Sequence, residues 1–350
     1  MSADARWLAG LVDRARAALP APVLEYVLQG AGEGLTTSEA NDAWRGVRLR
    51  PHVLRDVTDP DLGVTLLDVP HQVPWGVAPT TLQRAVHPEG EVAMARATAA
   101  AGGLMVVSSN AGTRFEEIAA TGVTWWLQCY LPADRTLAEP MLHRAVEAGA
   151  RAVVLTVDTP VVATKDHADA PVWDLVEPGQ LRVNFDPGYE QETGSDKATD
   201  LGPHDIDWLA ERTGLPVVVK GVLRPDDARR CVQAGARGIW VSNHGGRQLD
   251  RAVATADALA DVVSEVGGEA EVYVDGGIRS GLDVLVASAR GARAVFLGRS
   301  PLLALVEGES GVARLHAVLR SQLEEALRLS GCRTLADTPS LPALRSANPL

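Results

Sequence analysis

The run Ser242-Asn243-His244-Gly245-Gly246-Arg247-Gln248-Leu249-Asp250 sets an imidazole and a guanidinium three residues apart, with two glycines between them. It follows Gly238-Ile239-Trp240-Val241, an apolar stretch that reads as a buried strand. A neutral histidine accepts a proton near pH 7. Arginine grips a carboxylate through two parallel hydrogen bonds. The glycines let backbone approach a ligand closely. Together these residue types suit removal of hydrogen from an anionic substrate. On its own the run is more commonly a satisfied structural histidine, so the rest of the chain has to decide.

The elements that position this run follow a repeat. Ala100-Ala101-Gly102-Gly103, Glu147-Ala148-Gly149-Ala150, Gln233-Ala234-Gly235-Ala236 and Ala289-Arg290-Gly291-Ala292 each end an Ala-rich helix on a glycine, then run into an apolar strand. Eight such strands are expected, at about 73–79, 104–109, 124–130, 152–158, 216–221, 238–243, 271–277 and 294–299. Helix-then-strand units give parallel strands, and eight of them imply a (β/α)8 barrel in one domain spanning 1–350. A doubly wound open sheet is the rival, but no early strand carries a Gly-x-Gly-x-x-Gly turn. Residues 1–70 read as helices that close the barrel's bottom and flank it. The interval 160–202 is polar and broken by Pro171, Pro178, Pro187, Gly188 and Gly194, as expected of a lid at the C-terminal face.

In such a barrel, chemistry sits at the C-terminal strand ends. Each end here is polar: Pro79-Thr80-Thr81, Ser108-Ser109-Asn110, Gln128-Cys129-Tyr130, Thr156-Val157-Asp158, Lys220, Ser242-Asn243-His244, Asp275-Gly276-Gly277-Ile278-Arg279 and Gly298-Arg299. Gly276, Gly277 and Gly298 bring backbone N–H groups close, and Arg279 and Arg299 add charge, which makes a phosphate clamp on the last two loops. Lys220 points from the barrel interior, where an ammonium needs an anion or an electron-rich ring. Thr80, Ser108, Gln128 and Thr156 can hydrogen-bond a planar heterocycle. Phosphate, polar ring edge and buried lysine together describe an FMN site, with no motif for an adenine half.

Composition narrows the class. Among 350 residues, 46% are apolar and 22% charged, an ordinary globular balance. A net charge of -12 argues against nucleic acid and anionic membrane as partners, and obliges an anionic substrate to find a local positive site. No apolar run reaches membrane-spanning length, and the charged N-terminus is not a signal peptide. Cys129, Cys231 and Cys332 are few and far apart, which fits a reducing cytoplasm without disulfides. His52, His71, His87, His143, His204 and His316 lack metal-ligand spacing and read as surface or capping groups; no metal is expected. His167 falls in the expected lid and reads as a solvated loop residue. Cys129 should face the helices, and only one of Trp125 and Trp126 can face the barrel. The stripe Val312, Leu315, Val318, Leu319, Leu323, Leu327 predicts a helix over 311–330, packed on the barrel or on a neighbouring subunit.

SNHGGRQLD at 242–250, LTVDTP at 155–160, VKGV at 219–222, DGGIRSG at 275–281 and HPEGE at 87–91 resemble the FMN-dependent α-hydroxy acid oxidase/dehydrogenase family, which includes glycolate oxidase, lactate oxidase and mandelate dehydrogenase. The likeness covers nearly the whole chain. It implies His244 as base with Asp158 as its carboxylate partner, and Tyr130 bound near the substrate hydroxyl. Arg247 and Tyr26 would hold the substrate carboxylate, and Lys220 the flavin N1/O2 edge. Pro79, Thr80, Thr81, Ser108, Gln128, Thr156, Ser242, His244, Gly245 and Arg247 would lie around the flavin ring. Asp275, Gly276, Gly277, Arg279, Gly298 and Arg299 would take ribityl and phosphate. The resemblance also implies a homo-oligomer, a tetramer, with oxygen or another acceptor reoxidising the flavin.

Three positions depart from the family pattern. Lys165 stands where a second arginine is usual over the substrate; Thr81 stands for a small residue by the reactive flavin edge; Asn110 stands where short-chain oxidases carry an aromatic. These favour a larger or more polar 2-hydroxy acid over glycolate or lactate. Two alternatives remain: a flavin enzyme acting on an amine or on a hydroxyl without a simple carboxylate, and a non-catalytic flavin-binding protein.

Overall fold

The computed structural model of the protein describes residues 3–166, 172–177 and 179–345, so His167, Pro171 and Pro178 lie outside it. Its centre is a closed barrel of eight parallel strands, numbered here in chain order. They are β1 Trp75–Val77, β2 Leu104–Ser108, β3 Thr124–Cys129, β4 Val153–Thr156, β5 Val217–Val222, β6 Gly238–Val241, β7 Glu271–Val274 and β8 Ala294–Leu297. Each pairs with the next, and β8 closes onto β1. The (β/α)8 architecture is therefore present, and the apolar runs read from the sequence lie on the barrel strands.

Period-two alternation sorts the side chains into two cores. Trp126, Val154, Val218, Trp240, Tyr273 and Phe296 fill the barrel, whereas Trp125, Leu127 and Cys129 face the helical shell. Trp240 stacks on Phe296 with ring centroids 3.8 Å apart. Gly76 makes room for that stack, since a Cβ there would lie 2.6 Å from the Phe296 ring. The floor differs from expectation. Val64, Leu66 and Leu67, from the antiparallel hairpin Val64–Leu66/Val69–His71, close the N-terminal end of the barrel core. Val64 and Leu66 are buried on either side of the exposed Thr65, so the hairpin presents one apolar face to the barrel core.

The early helices Ala21–Leu28 and Leu35–Arg45 lie instead at the catalytic rim. Trp44 Nε1 donates to the Gly276 carbonyl at 2.7 Å, and Thr37 Oγ1 to that of Gly245 at 3.1 Å. The stripe read over 311–330 forms the helix Gly308–Ser330, packed on the barrel's helical shell. His316 also departs from the reading as a surface group. It is buried in that helix and accepts from Trp75 Nε1 at 2.9 Å. Burial first, and Arg320 second, depress its pKa to about 4. The reason is visible in the spacing: 312, 316, 319 and 323 share one helical face. His71 is likewise buried, its pKa lowered by desolvation.

Candidate active site

Strand register assembles the site. Ser108 sits beside Gln128 and Thr156 beside Lys220 at the C-terminal ends of their strands. Past β6 the chain enters three successive left-handed residues, His244 (φ 57°), Gly245 (φ 64°) and Gly246 (φ 76°). Glycine tolerates this; for His244 such a conformation costs on the order of 1 kcal/mol and persists only where neighbours hold it. Ser242 Oγ accepts from the His244 N–H at 3.1 Å and donates to Asp275 Oδ1 at 2.7 Å, while Lys220 Nζ donates to the same hydroxyl at 3.0 Å.

The strained turn delivers His244 between two partners. Its Nδ1 lies 2.8 Å from Asp158 Oδ1, and its Nε2 lies 3.5 Å from the Tyr130 hydroxyl. The carboxylate contact makes Nδ1 the protonated nitrogen, leaving Nε2 with a lone pair toward the cavity. Burial, then the Lys220 charge, push the His244 pKa below the ordinary imidazole value, against the pull of Asp158. Burial works to raise the Asp158 pKa, yet Lys220, His244 and two hydrogen bonds outweigh it and hold it at about 2. The pair is therefore an ionised carboxylate and a neutral imidazole at neutral pH. Burial, then Asp158, push the Tyr130 phenol upward, so it remains a hydrogen-bond donor.

A cavity of about 810 Å3 opens above these groups. Tyr26, Pro79, Thr80, Thr81, Ser108, Tyr130, Thr156, Lys165, Lys220, His244, Gly245 and Arg247 line it, with Asp275, Gly276, Gly277, Arg279, Gly298 and Arg299. Gln128, Asp158 and Ser242 are placed directly beneath, through strand pairing or hydrogen bonds to lining residues. Arg247 Nη1 donates to the Tyr26 carbonyl at 2.7 Å, and its guanidinium lies 4.8 Å over the Tyr26 ring. Lys165 sits differently from a residue aimed at a substrate: its ammonium donates to the carbonyls of Ala163 at 2.8 Å and Arg247 at 2.7 Å.

The donor set fits FMN. Gln128 Nε2 and Thr156 Oγ1 are buried at the barrel mouth without a protein partner, as a heterocycle's polar edge would require. A Cβ placed on Gly298 would meet no atom within 4 Å, so its backbone faces open space. Burial, then the charges of Arg279 and Arg247, depress the Arg299 pKa to about 9; burial likewise lowers that of Arg279. Guanidinium groups crowded this way are relieved by an anion such as a phosphate.

Sequence reading missed several lining residues. Thr159 Oγ1 donates to Asp158 Oδ1 at 3.1 Å and is itself held by Gln248 Nε2 at 2.7 Å. Both belong to motifs already singled out, and their polarity beside Asp158 and Arg247 was the available signal. Trp173 meets the Tyr26 ring edge-on at 5.7 Å. Leu181, Arg182, Glu190 and Lys197 come from the 160–202 interval. That interval is tied down by Asn184, which accepts from the Phe115 N–H and donates to the Thr113 carbonyl. It holds the short turns Val172–Leu175 and Tyr189–Gln191.

Residues 15–342 match the model of the FMN-dependent dehydrogenase family. The chain is 40% identical over 337 residues to glycolate oxidase of Spinacia oleracea, covering 92% of this chain and 91% of that one. It is 40% identical over 332 residues to L-lactate oxidase of Nostoc sp., covering 89% and 91%. A crystal structure of mandelate oxidase with (S)-2-phenylpropionate superposes with a TM-score of 0.89 at 36% identity, over 97% of this chain and 99% of that one. With this barrel and this site, the chain belongs to the FMN-dependent dehydrogenase family and is a flavoenzyme that uses FMN to oxidise a 2-hydroxy acid.

Proposed function

We propose that the site oxidises a 2-hydroxy acid larger or more polar than glycolate to its 2-keto acid, with His244 as the base. The observation that carries this reading is the Asp158–His244–Tyr130 chain, at 2.8 and 3.5 Å, beside a cavity-lining arginine. Oxidation removes two electrons and two protons, one proton from C2 and one from its hydroxyl. His244 Nε2 receives one hydrogen as a proton, and Asp158 stabilises the resulting imidazolium. Arg247 and Tyr26 bind the substrate carboxylate, and the Tyr130 hydroxyl fixes the C2 oxygen. FMN, when bound, supplies the two-electron acceptor. Lys220, near the C-terminal end of β5, would hold the ring's electron-rich edge, with Pro79, Thr80, Thr81, Ser108, Gln128, Thr156 and Ser242 around the ring. Gly276, Gly277, Arg279, Gly298 and Arg299 take the phosphate, and Asp275 the ribityl hydroxyls.

The preference for a larger or more polar acid rests on Lys165. The Lys165 ammonium is committed to two carbonyls, so a small acid gains no second cationic clamp from it. The same commitment favours one alternative, a hydroxyl or amine substrate lacking a simple carboxylate. Anaerobic bleaching of the bound flavin by a substrate panel separates the two. Bleaching by 2-hydroxy acids supports the proposal; bleaching only by amines or non-acidic alcohols overturns it.

The further proposals are oxygen as reoxidant, a homotetramer, and residence in a reducing cytoplasm. Curated relatives named as oxidases support the first, and family resemblance the second. Three free thiols, two of them buried, support the third. No helix among the described residues is long and apolar enough to cross a membrane.

A further inference from the structure

Seven cationic side chains but only two carboxylates line the cavity among the described residues. In a chain of net charge -12 this concentration marks a site built for anions. Most of the seven are accounted for. Arg279 and Arg299 face the phosphate end, Lys220 lies in the Ser242–Asp275 network, Arg247 serves one carboxylate, and Lys165 is spent on carbonyls. Arg182 and Lys197 remain, both from the interval over the cavity mouth.

Arg182 is anchored: Nε donates to Asn110 Oδ1 at 3.1 Å, and Nη1 pairs with Glu190 at 2.7 Å. Lys197 is different. Its Nζ lies 4.1 Å above the Tyr130 ring, on the face of the same phenol whose hydroxyl approaches His244. Its backbone is fixed by the bridge to Pro132 and by the Ala198 N–H donating to the Leu131 carbonyl at 2.9 Å. The ammonium is thus held at a defined place, one aromatic ring from the base. Burial, then the charge of Arg182, lower its pKa against the pull of Asp158. Asn110, one of the departures from the family pattern, holds the neighbouring guanidinium in place of an aromatic wall.

We propose that Lys197 is a specificity-determining residue that receives a second anionic group on the substrate's side chain, so that the preferred substrate is a 2-hydroxy dicarboxylate. This rests on the 2-hydroxy acid reading of the site. Arg247 takes the C1 carboxylate, Lys197 the distal one, and Arg182 with Asn110 and Glu190 fixes the wall between.

The test uses FMN-loaded enzyme and two acids of similar length, 2-hydroxyglutarate and 2-hydroxyhexanoate. Wild type should show the higher kcat/KM with the diacid. Lys197→Ala should cut the diacid-to-monoacid ratio on the order of 10–100-fold, as loss of a charge-assisted bond implies. Lys197→Arg should restore most of it, and Lys197→Glu should depress it further. Calorimetric binding of 2-ketoglutarate against 2-ketohexanoate, which need no turnover, should shift in parallel. If both acids bleach the flavin and the ratio is the same in wild type and Lys197→Ala, the inference is wrong and the 2-hydroxy acid reading stands. If neither these acids nor any monocarboxylic 2-hydroxy acid bleaches it, that reading falls and the inference with it.

Discussion

The Tyr26 hydroxyl lies 2.9 Å from Thr81 Oγ1, across 55 residues of sequence. Thr81, proposed to lie by the flavin ring, is therefore within hydrogen-bond reach of the phenol proposed to hold the substrate carboxylate. Thr81→Val keeps the shape but removes the bond, worth about 1 kcal/mol. KM for the hydroxy acid should change about fivefold with little change in the limiting rate of flavin reduction, and Thr81→Ser should behave as wild type. An unchanged KM in the valine variant would show that Tyr26 needs no such support.

His244→Ala should retain FMN but lose flavin reduction by roughly 10²–10⁴-fold or more, in the range for loss of a general base. Asp158→Asn should slow the same step, since its carboxylate lies 2.8 Å from the imidazole. Anaerobic stopped-flow absorbance measures both.

The pH dependence follows from the direction of the His244 shift. The working form is the neutral imidazole, and its pKa is lowered by burial and by Lys220. Reduction should therefore rise as pH climbs through a value below about 6.5 and stay flat above it. Asp158 opposes that shift, so Asp158→Asn should move the acidic limb lower still while dropping the plateau. A limb that moves upward in this variant would contradict the assignment of Asp158 as the charge partner.

Lys165→Met should loosen the tie between Ala163 and Arg247, whose carbonyls the ammonium now joins. Substrate KM should rise roughly tenfold, the scale of a hydrogen bond to a charged group. Flavin affinity should change little. Steady-state kinetics and flavin titration distinguish this from a general loss of structure.

Gly76→Ala tests the barrel core. A Cβ there would lie 2.6 Å from the Phe296 ring and 2.8 Å from the Leu104 carbonyl. Overpacking of this kind costs roughly 1–3 kcal/mol, visible as a lowered Tm.

The barrel was legible because each strand is an apolar run ending in polar residues, a pattern that topology makes periodic. The same logic found His244, Asp158, Lys220 and the glycine-arginine loops, since all lie at a strand's end or just past it. Lys197 and Arg182 carried no such signal. Their interval has no hydrophobic period, and the contacts that place them, through Pro132, Asn184 and Asn110, are distant in sequence. The floor was misassigned because a hairpin of two three-residue strands is too short to stand out against the helical segments before it.

Asp250 accepts from the backbone N–H of Thr36 at 2.9 Å, and the Ala31 N–H donates to the Gly246 carbonyl at 2.8 Å. A Cβ on Gly246 would lie 2.6 Å from Thr37 N, so the two segments interlock without slack. The strained His244 turn is thus braced by a segment far back in the chain, and a change at residues 31–37 is transmitted directly to the catalytic loop.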